Sequence, residues 1–504
     1  MNSEFRIPNS ERSPNPEWRI ARFGGSILLR SGIVLLALLV ASQCAANRIF
    51  RAGAAMVDIT PTNFPIRTAG NLRLTIADKA IDPLNVRALV LDNQRIQIAI
   101  AVVDSCMIDR ETMDAAKSLA QRVTGIPVEH MLISSTHTHS APAAYSCHGN
   151  DVELAYVQYL IPKIAETIVQ AWRNRTNALV GWGEADCPQF VHCRHWIMRP
   201  GTADNPPFAF TGQRTNIAMM NPGYANTNKV RQTGVVDSSV TVLSLRTTDG
   251  RPLALLANYS THYAGVGEPG VSADYFGECC RVIAKDLGTE EAKPFVALIS
   301  NGTSGDANCI DFTKPDWKVD RFKVARTVAD ATVRALKEIR YYDWVPLGMI
   351  EKKQSFKVRL PRPEDVAEAR EFLARKVGDR PTRNWEENYA RETMNMADWP
   401  RKKEVKLQAV RIGKLGIGTM PCETFGTTGL AIKRDSPFPV TMVIELANGC
   451  NGYLPPPDEF EVGGYTTWRA RTSYLETGAE PEIRKSVESL LARLVYGKER
   501  LPRK

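Results

Sequence analysis

Histidine is scarce in this chain, with seven among 504 residues. Two of the seven sit within one three-residue stretch, His137 and His139. No tract of basic residues interleaved with aromatics occurs, and the net charge of +9 is modest for this length. Nucleic acid is thus not an expected partner. Beyond residue 41 no apolar run approaches the roughly 20 residues needed to cross a bilayer, so the body reads as soluble. Internal repeats and low-complexity tracts are missing, which leaves a globular body rather than a repeat array. Common zinc-binding spacings are missing as well. Cys187, His192, Cys193 and His195 crowd together but fit none of them, and read as structural.

What is present begins with an export signal over residues 1–46. Arg19, Arg22 and Arg30 precede an apolar core at 32–41, and Ala45-Ala46 offer a cleavage site. The core is short for a transmembrane helix and Arg30 blocks its extension. An uncleaved N-terminal membrane anchor is the alternative to a periplasmic or extracellular protein. Cleavage would leave nine of ten cysteines, an odd number, so at least one is a free thiol or pairs between chains.

Residues 47–504 read as a single domain. Apolar runs at 86–91 and 96–103 flank Asp92-Asn93 and predict a hairpin. Helical periodicity follows over 110–123, 153–172, 319–339 and the stretch after Pro481, with Gly497 as its C-terminal cap. Residues 198–232, rich in Pro, Gly and Asn, read as a long loop. The charged stretch 361–405, with Trp385 and Trp399, reads as a helical excursion. Alternating strands and helices point to an α/β fold, a layered mixed-sheet domain with a helical insertion.

Five short apolar runs end in polar clusters. Met131-Leu132-Ile133 leads to Thr136-His137-Thr138-His139-Ser140, where side chains two apart share a face. Runs at 253–256, 295–299, 415–418 and 440–444 lead to His262, to Ser304-Gly305-Asp306, to Glu423 and to Tyr453. In open α/β sheets functional groups gather beyond the carboxyl ends of strands, so one site drawn from across the sequence is expected. His137, His262, Glu423 and Tyr453 supply the N and O donors a catalytic zinc takes. Tyrosine is an uncommon ligand, and composition alone would not select Tyr453.

These motifs resemble those of the neutral ceramidases, zinc amidohydrolases that cleave the amide of N-acylsphingosine. The resemblance spans most of 50–475. It rests on Val57-Asp58-Ile59-Thr60-Pro61, Asp82-Pro83-Leu84, His137-Thr138-His139-Ser140, Tyr259-Ser260-Thr261-His262, Gly305-Asp306, Glu423 and the segment around Tyr453. It implies His137, His262, Glu423 and Tyr453 as zinc ligands. It also implies His139, Arg194 and Tyr465 as the substrate-holding set, donors able to stabilise an oxyanion. An N-acyl substrate, small or lipid-like, would follow, with peripheral membrane contact in the lipid case. The sequence also departs from the family. Its Gly-Asp-x-Ser-Pro-Asn is here Gly305-Asp306-Ala307-Asn308-Cys309, the glycine of His-Ser-Gly-Pro is Ala141, and no C-terminal immunoglobulin-like domain is expected.

Two motifs compete. Gly265-Val266-Gly267-Glu268-Pro269-Gly270 matches a dinucleotide fingerprint, but no helix is expected to begin at Gly270. Gly302-Thr303-Ser304-Gly305-Asp306 invites an ester or phosphoester hydrolase reading, although its spacing is not that of G-x-S-x-G. There Ser304 is expected to turn the loop, and Asp306 or Asp274 to act as the outer carboxylate behind a ligand histidine. A catalytically silent binding protein of the same fold is the third reading.

Overall fold

Along 85–92 and 97–103 the residues alternate between two apolar faces, so the sheet they build must be covered on both sides. The computed structural model has this arrangement. It describes residues 48–497 apart from 73, 204–205, 207, 292–293 and 376–384, so the predicted export segment lies outside the described residues. From Ile49 onward the described residues form one compact unit.

Strands β1 (Arg51–Asp58), β2 (Asn85–Asp92), β3 (Gln97–Val103), β4 (Met131–Ser135), β5 (Thr176–Asp186), β6 (Ser239–Thr247), β7 (Pro252–Tyr259), β8 (Glu290–Glu291) and β9 (Pro294–Asn301) form a nine-stranded mixed sheet. Its order is β8-β9-β7-β6-β5-β1-β2-β3-β4. The pairs β3/β4, β7/β9 and β8/β9 are parallel. The expected hairpin is β2/β3, with Asp92 opposite Gln97. The Asn93 side chain caps its turn by accepting from the Arg95 and Ile96 amides.

A four-stranded sheet contains β10 (Leu347–Lys357), β11 (Lys402–Ile412), β12 (Leu415–Thr419) and β14 (Val440–Ile444). The two-residue strands β13 (Glu423–Thr424) and β15 (Tyr453–Leu454) pair in parallel, with Glu423 opposite Tyr453. The longer helices are α1 (Arg110–Thr124), α2 (Leu154–Arg173), α3 (Asp274–Asp286), α4 (Arg321–Lys337), α5 (Pro363–Ala374), α6 (Trp385–Met396), α7 (Gly426–Asp435) and α8 (Ala479–Tyr496).

Four layers result. Met113 of α1 and Leu160 and Ile164 of α2 pack on Val86, Ala88 and Val90. On the same face Phe276 of α3 and Val324 and Val328 of α4 pack on Val240, Val242 and Ala257. Leu89, Leu91, Leu243 and Leu256 point the other way, against Met349, Val410, Ile412 and Ile444 of the smaller sheet. The far face of that sheet is covered by Ile483, Val487 and Leu491 of α8. This is the expected mixed α/β architecture.

The stretch 198–232 corrects one expectation. It contains strands Ala218–Met220 and Lys229–Gln232, both paired with His195–Met198 in a three-stranded ribbon. The strands are three or four residues long with distant partners, so local composition does not reveal them. The excursion is helical as α5 and α6, but ends before 405, because β11 begins at Lys402.

The segment after β14 positions the site. The Glu445 amide donates to the Asn301 carbonyl, and the Ser135 amide donates to the Leu446 carbonyl, both at 3.2 Å. The ends of β9 and β4, which lie toward opposite edges of the large sheet, are thereby held to one short segment.

Candidate metal centre

His137, two residues past β4, has φ +74°. A left-handed backbone at a non-glycine residue stores strain of about 1–3 kcal/mol and persists only where its surroundings enforce it. Here the His137 amide donates to the Ser105 carbonyl at 2.9 Å. The twist brings His137 Nε2 to 3.1 Å from His262 Nε2, beyond β7. Glu423 Oε2, on β13, lies 3.3 and 3.4 Å from those two nitrogens. All three side chains are 3% exposed or less.

The groups behind the imidazoles fix their protonation. The Cys106 carbonyl can only accept, so His137 Nδ1, 3.0 Å away, carries a proton, and Nε2 is bare when the ring is neutral. Behind His262 stands Glu445. Its carboxylate accepts from Asn301 Nδ2 at 3.0 Å, Ser304 Oγ at 2.6 Å, the Ser304 amide at 3.2 Å and the Thr424 amide at 2.7 Å. Burial pushes the Glu445 carboxyl up to about 8, and these donors oppose it. With Glu445 ionised, Ser304 spends its one proton on it, so the serine oxygen accepts from His262 Nδ1 at 3.1 Å. His262 Nε2 is then bare too.

The two Nε2 atoms therefore converge on a carboxylate oxygen that meets no aligned donor, with Arg194 Nη2 2.9 Å from His262 Nε2 as a cationic neighbour. A metal ion bound among these atoms would offset their mutual repulsion. Burial opposes charge on His137, but Glu423 outweighs it and pushes the imidazole up. Glu423, despite burial, is held well below the usual carboxylate range by His137 and His262. Burial, Arg194 and His137 bring His262 down to about 3. The three side chains form a group able to hold a metal ion.

Arg194 Nη2 donates to His262 Nε2 at 2.9 Å, to the Gly305 carbonyl at 3.0 Å and to Tyr453 Oη at 3.4 Å. Its Nε is buried without a partner. Burial raises the Tyr453 phenol well above its usual range, and its ring centre lies 5.8 Å from that of Tyr465. His139 stacks on Tyr263 at 3.9 Å, with Nε2 3.4 Å from His137 Nε2. A cavity of about 380 Å³ is lined by His137, His139, Arg194, Glu423, Tyr453 and Tyr465, with Trp385 and Trp468 as aromatic walls.

No protein-family model matches the sequence. The chain is 24% identical over 302 residues to neutral ceramidase B of Dictyostelium discoideum, a stretch covering 53% of this chain and 38% of that relative. The crystal structure of neutral ceramidase from Pseudomonas aeruginosa superposes with a TM-score of 0.65 at 14% identity, over 91% of this chain and 76% of that one. A ceramidase complexed with C2 superposes with a TM-score of 0.67 at 15% identity, with the same coverages. The chain is thus similar in sequence to part of one neutral ceramidase and shares the fold of the ceramidase structures.

Within this ceramidase fold some residues fall elsewhere than expected. Asp306 does not stand behind a histidine. Its carboxylate accepts from the Gly426 amide at 2.7 Å, and its carbonyl accepts from the Arg194 amide at 2.8 Å. Burial lifts its carboxyl to about 6. Asp274 instead accepts from the Ala264 and Gly265 amides, at 3.0 and 2.7 Å, and pins the loop after His262. That loop holds the glycine motif, and α3 begins only at Asp274. Ser304 is fully buried behind His262 and does not line the cavity.

Asn308, at the family's serine position, donates to Asn221 Oδ1 at 2.8 Å and accepts from the Ile310 amide at 2.9 Å. It too lies off the cavity wall. Cys187, Cys193 and His192 each meet a separate carbonyl, those of Thr327, His195 and Gln189. All nine described cysteines are buried, and none forms a disulfide. Sequence reasoning missed Glu445, although an acid closing the apolar run 440–444 was a signal. It also missed the Cys106 carbonyl, which no side-chain pattern could announce.

Proposed function

We propose that the chain is a zinc-dependent hydrolase that cleaves the amide of an N-acyl substrate, with His137, His262, Glu423 and Tyr453 as the zinc ligands. The observation that carries this reading is the convergence of the His137 and His262 Nε2 atoms on a buried Glu423 oxygen, 3.3 and 3.4 Å away. Zinc favours such N and O donors, and when bound supplies a Lewis acid and lowers the pKa of water to about 7.

The chain's own residues do the rest. Arg194 offers its unpartnered Nε–H to the oxygen that gains charge as the carbonyl is attacked. Tyr465, on the same cavity wall, adds its hydroxyl as a second donor. His139 is held well below its usual range by burial and by the neighbouring His137 and His262, so it is neutral and could accept at Nε2 the proton that the attacking water loses and then return it to the leaving amine. Trp385 and Trp468 exclude water and fit an apolar acyl chain. The relatives named neutral ceramidase support a lipid-like N-acyl substrate. Export through residues 1–46, and peripheral contact with a membrane surface, belong to the same proposal. The serine-hydrolase alternative is disfavoured by the burial of Ser304 away from the cavity.

The test is metal content of the purified protein beside His137→Ala and Glu423→Ala. About one zinc per chain, lost in both variants together with hydrolysis of N-acyl amides, supports the reading. No metal under zinc-replete conditions refutes it.

A further inference from the structure

The chemistry proposed above does not draw on the buried pair of His195 and Glu459. His195 directly follows Arg194, is completely buried, and does not line the cavity. Glu459 Oε2 lies 2.9 Å from His195 Nδ1, and Thr233 Oγ1 lies 3.1 Å from the same nitrogen. A carboxylate can only accept, so a ring proton belongs at Nδ1. Separating such a buried pair is strongly destabilising, so each residue holds the other in place.

The opposite edge of the ring meets the same segment a second time. Gly464 is left-handed at φ +89°, and a Cβ there would lie 2.3 Å from His195 Nε2. The imidazole edge occupies the space a side chain would take, so glycine alone fits. Glu459 opens the helical turn Glu459–Val462, Gly463 and Gly464 follow, and Tyr465 is next. One imidazole thus grips both ends of the short segment that delivers Tyr465. Residues 213–217 hold that segment as well: the Ile217 amide donates to the Val462 carbonyl at 2.8 Å, and the Gly464 amide donates to Asn216 Oδ1 at 2.7 Å.

The Arg194 backbone is fixed by contacts of its own. Its amide donates to the Asp306 carbonyl and its carbonyl accepts from the Asn221 amide, both at 2.8 Å. Arg194 and Tyr465 both line the cavity, and Tyr453 touches both. Its hydroxyl lies 3.4 Å from Arg194 Nη2, and its ring centre 5.8 Å from that of Tyr465. A shift of the segment before Tyr465 would therefore change the spacing of two donors meant for one oxygen.

We propose that His195, paired with Glu459, is a positioning residue that fixes the Tyr465 hydroxyl relative to Arg194. The inference rests on the amide-hydrolase reading.

The test uses the zinc-loaded full chain and the octanoyl amide of ethanolamine, followed by release of the amine. His195→Ala is expected to lower kcat by about 10²-fold, with KM and zinc content near wild type. His195→Asn, which returns an N–H near the position of Nδ1, should recover part of that loss. The decisive readout is a double-mutant cycle with Tyr465→Phe. If His195 acts through the tyrosine hydroxyl, His195→Ala should cost about threefold or less once that hydroxyl is gone. A kcat for His195→Ala within twofold of wild type overturns the proposal, and so does an undiminished loss in the Tyr465→Phe background. Should His195→Ala fail to fold, Glu459→Gln, which keeps the volume and removes the charge, is read by the same cycle. If wild type releases no amine, the hydrolase reading fails, and fluorine NMR with meta-fluorotyrosine in place of Tyr465 decides the role of His195. A resonance displaced or broadened in His195→Ala or Glu459→Gln sustains it; an unchanged one overturns it.

Discussion

Replacing Ser304 by alanine tests the logic of the centre most directly. The serine oxygen accepts from His262 Nδ1 at 3.1 Å and donates to Glu445 at 2.6 Å, in a fully buried position. Alanine leaves the His262 N–H unpartnered and removes one of the carboxylate's donors. An unsatisfied buried donor costs about 1–3 kcal/mol, and a bond to a charged group contributes about 1.5–3 kcal/mol. Metal-free Ser304→Ala should therefore unfold at lower denaturant with an unchanged slope. Nothing then fixes the His262 tautomer, and losing an outer-shell partner typically costs about 10–100-fold in metal affinity. Competition against a chromogenic chelator reads that loss, which corresponds to about 1.4–2.7 kcal/mol. Zinc affinity within twofold of wild type would refute the protonation argument. Abolished turnover with zinc affinity intact would instead mark Ser304 as a nucleophile.

Two further outcomes are expected. Gly70 has φ +92°, and a Cβ there would lie 2.5 Å from His139 Nδ1. Gly70→Ala should displace that ring and lower turnover by about 10²-fold with zinc content unchanged, and full activity would show that the placement of His139 is dispensable. Lys117 is buried, donates to Asn448 Oδ1 at 2.5 Å, and is lowered by burial and by Lys406 from 10.5 to about 7. The unfolded chain then binds more protons between those values. This group's contribution to stability rises with pH across that window, by at most about 1.4 kcal/mol per unit, and Lys117→Met should flatten the rise in denaturation midpoints.

Much of the frame was legible because its signals are local. The turn at Asp92-Asn93 carries its own hydrogen bonds, and α1 and α2 follow strong amphipathic periods. The His-x-His pair, His262 and Glu423 were each readable as polar ends of buried strands. What joins them was not legible, since it consists of backbone contacts between distant segments, such as Ser135 to Leu446 and Glu445 to Asn301. The sequence offers Asp306 or Asp274 as the outer carboxylate, because such a partner is common behind a zinc histidine. The structure puts Glu445 there, reached through Ser304, because β14 ends beside β9.

That joining segment also sets when the chain can first capture a metal ion. A chain synthesised only as far as Thr419 already has both histidines, β4 and β9, but lacks Glu423, Tyr453 and the segment that bonds both strand ends. On the proposed ligand set, tight metal capture would await about the last sixth of the sequence, and a bond to the metal would then close a loop from His137 to Glu423. Chelation during refolding should accordingly leave early strand pairing intact and withhold only the final locking step.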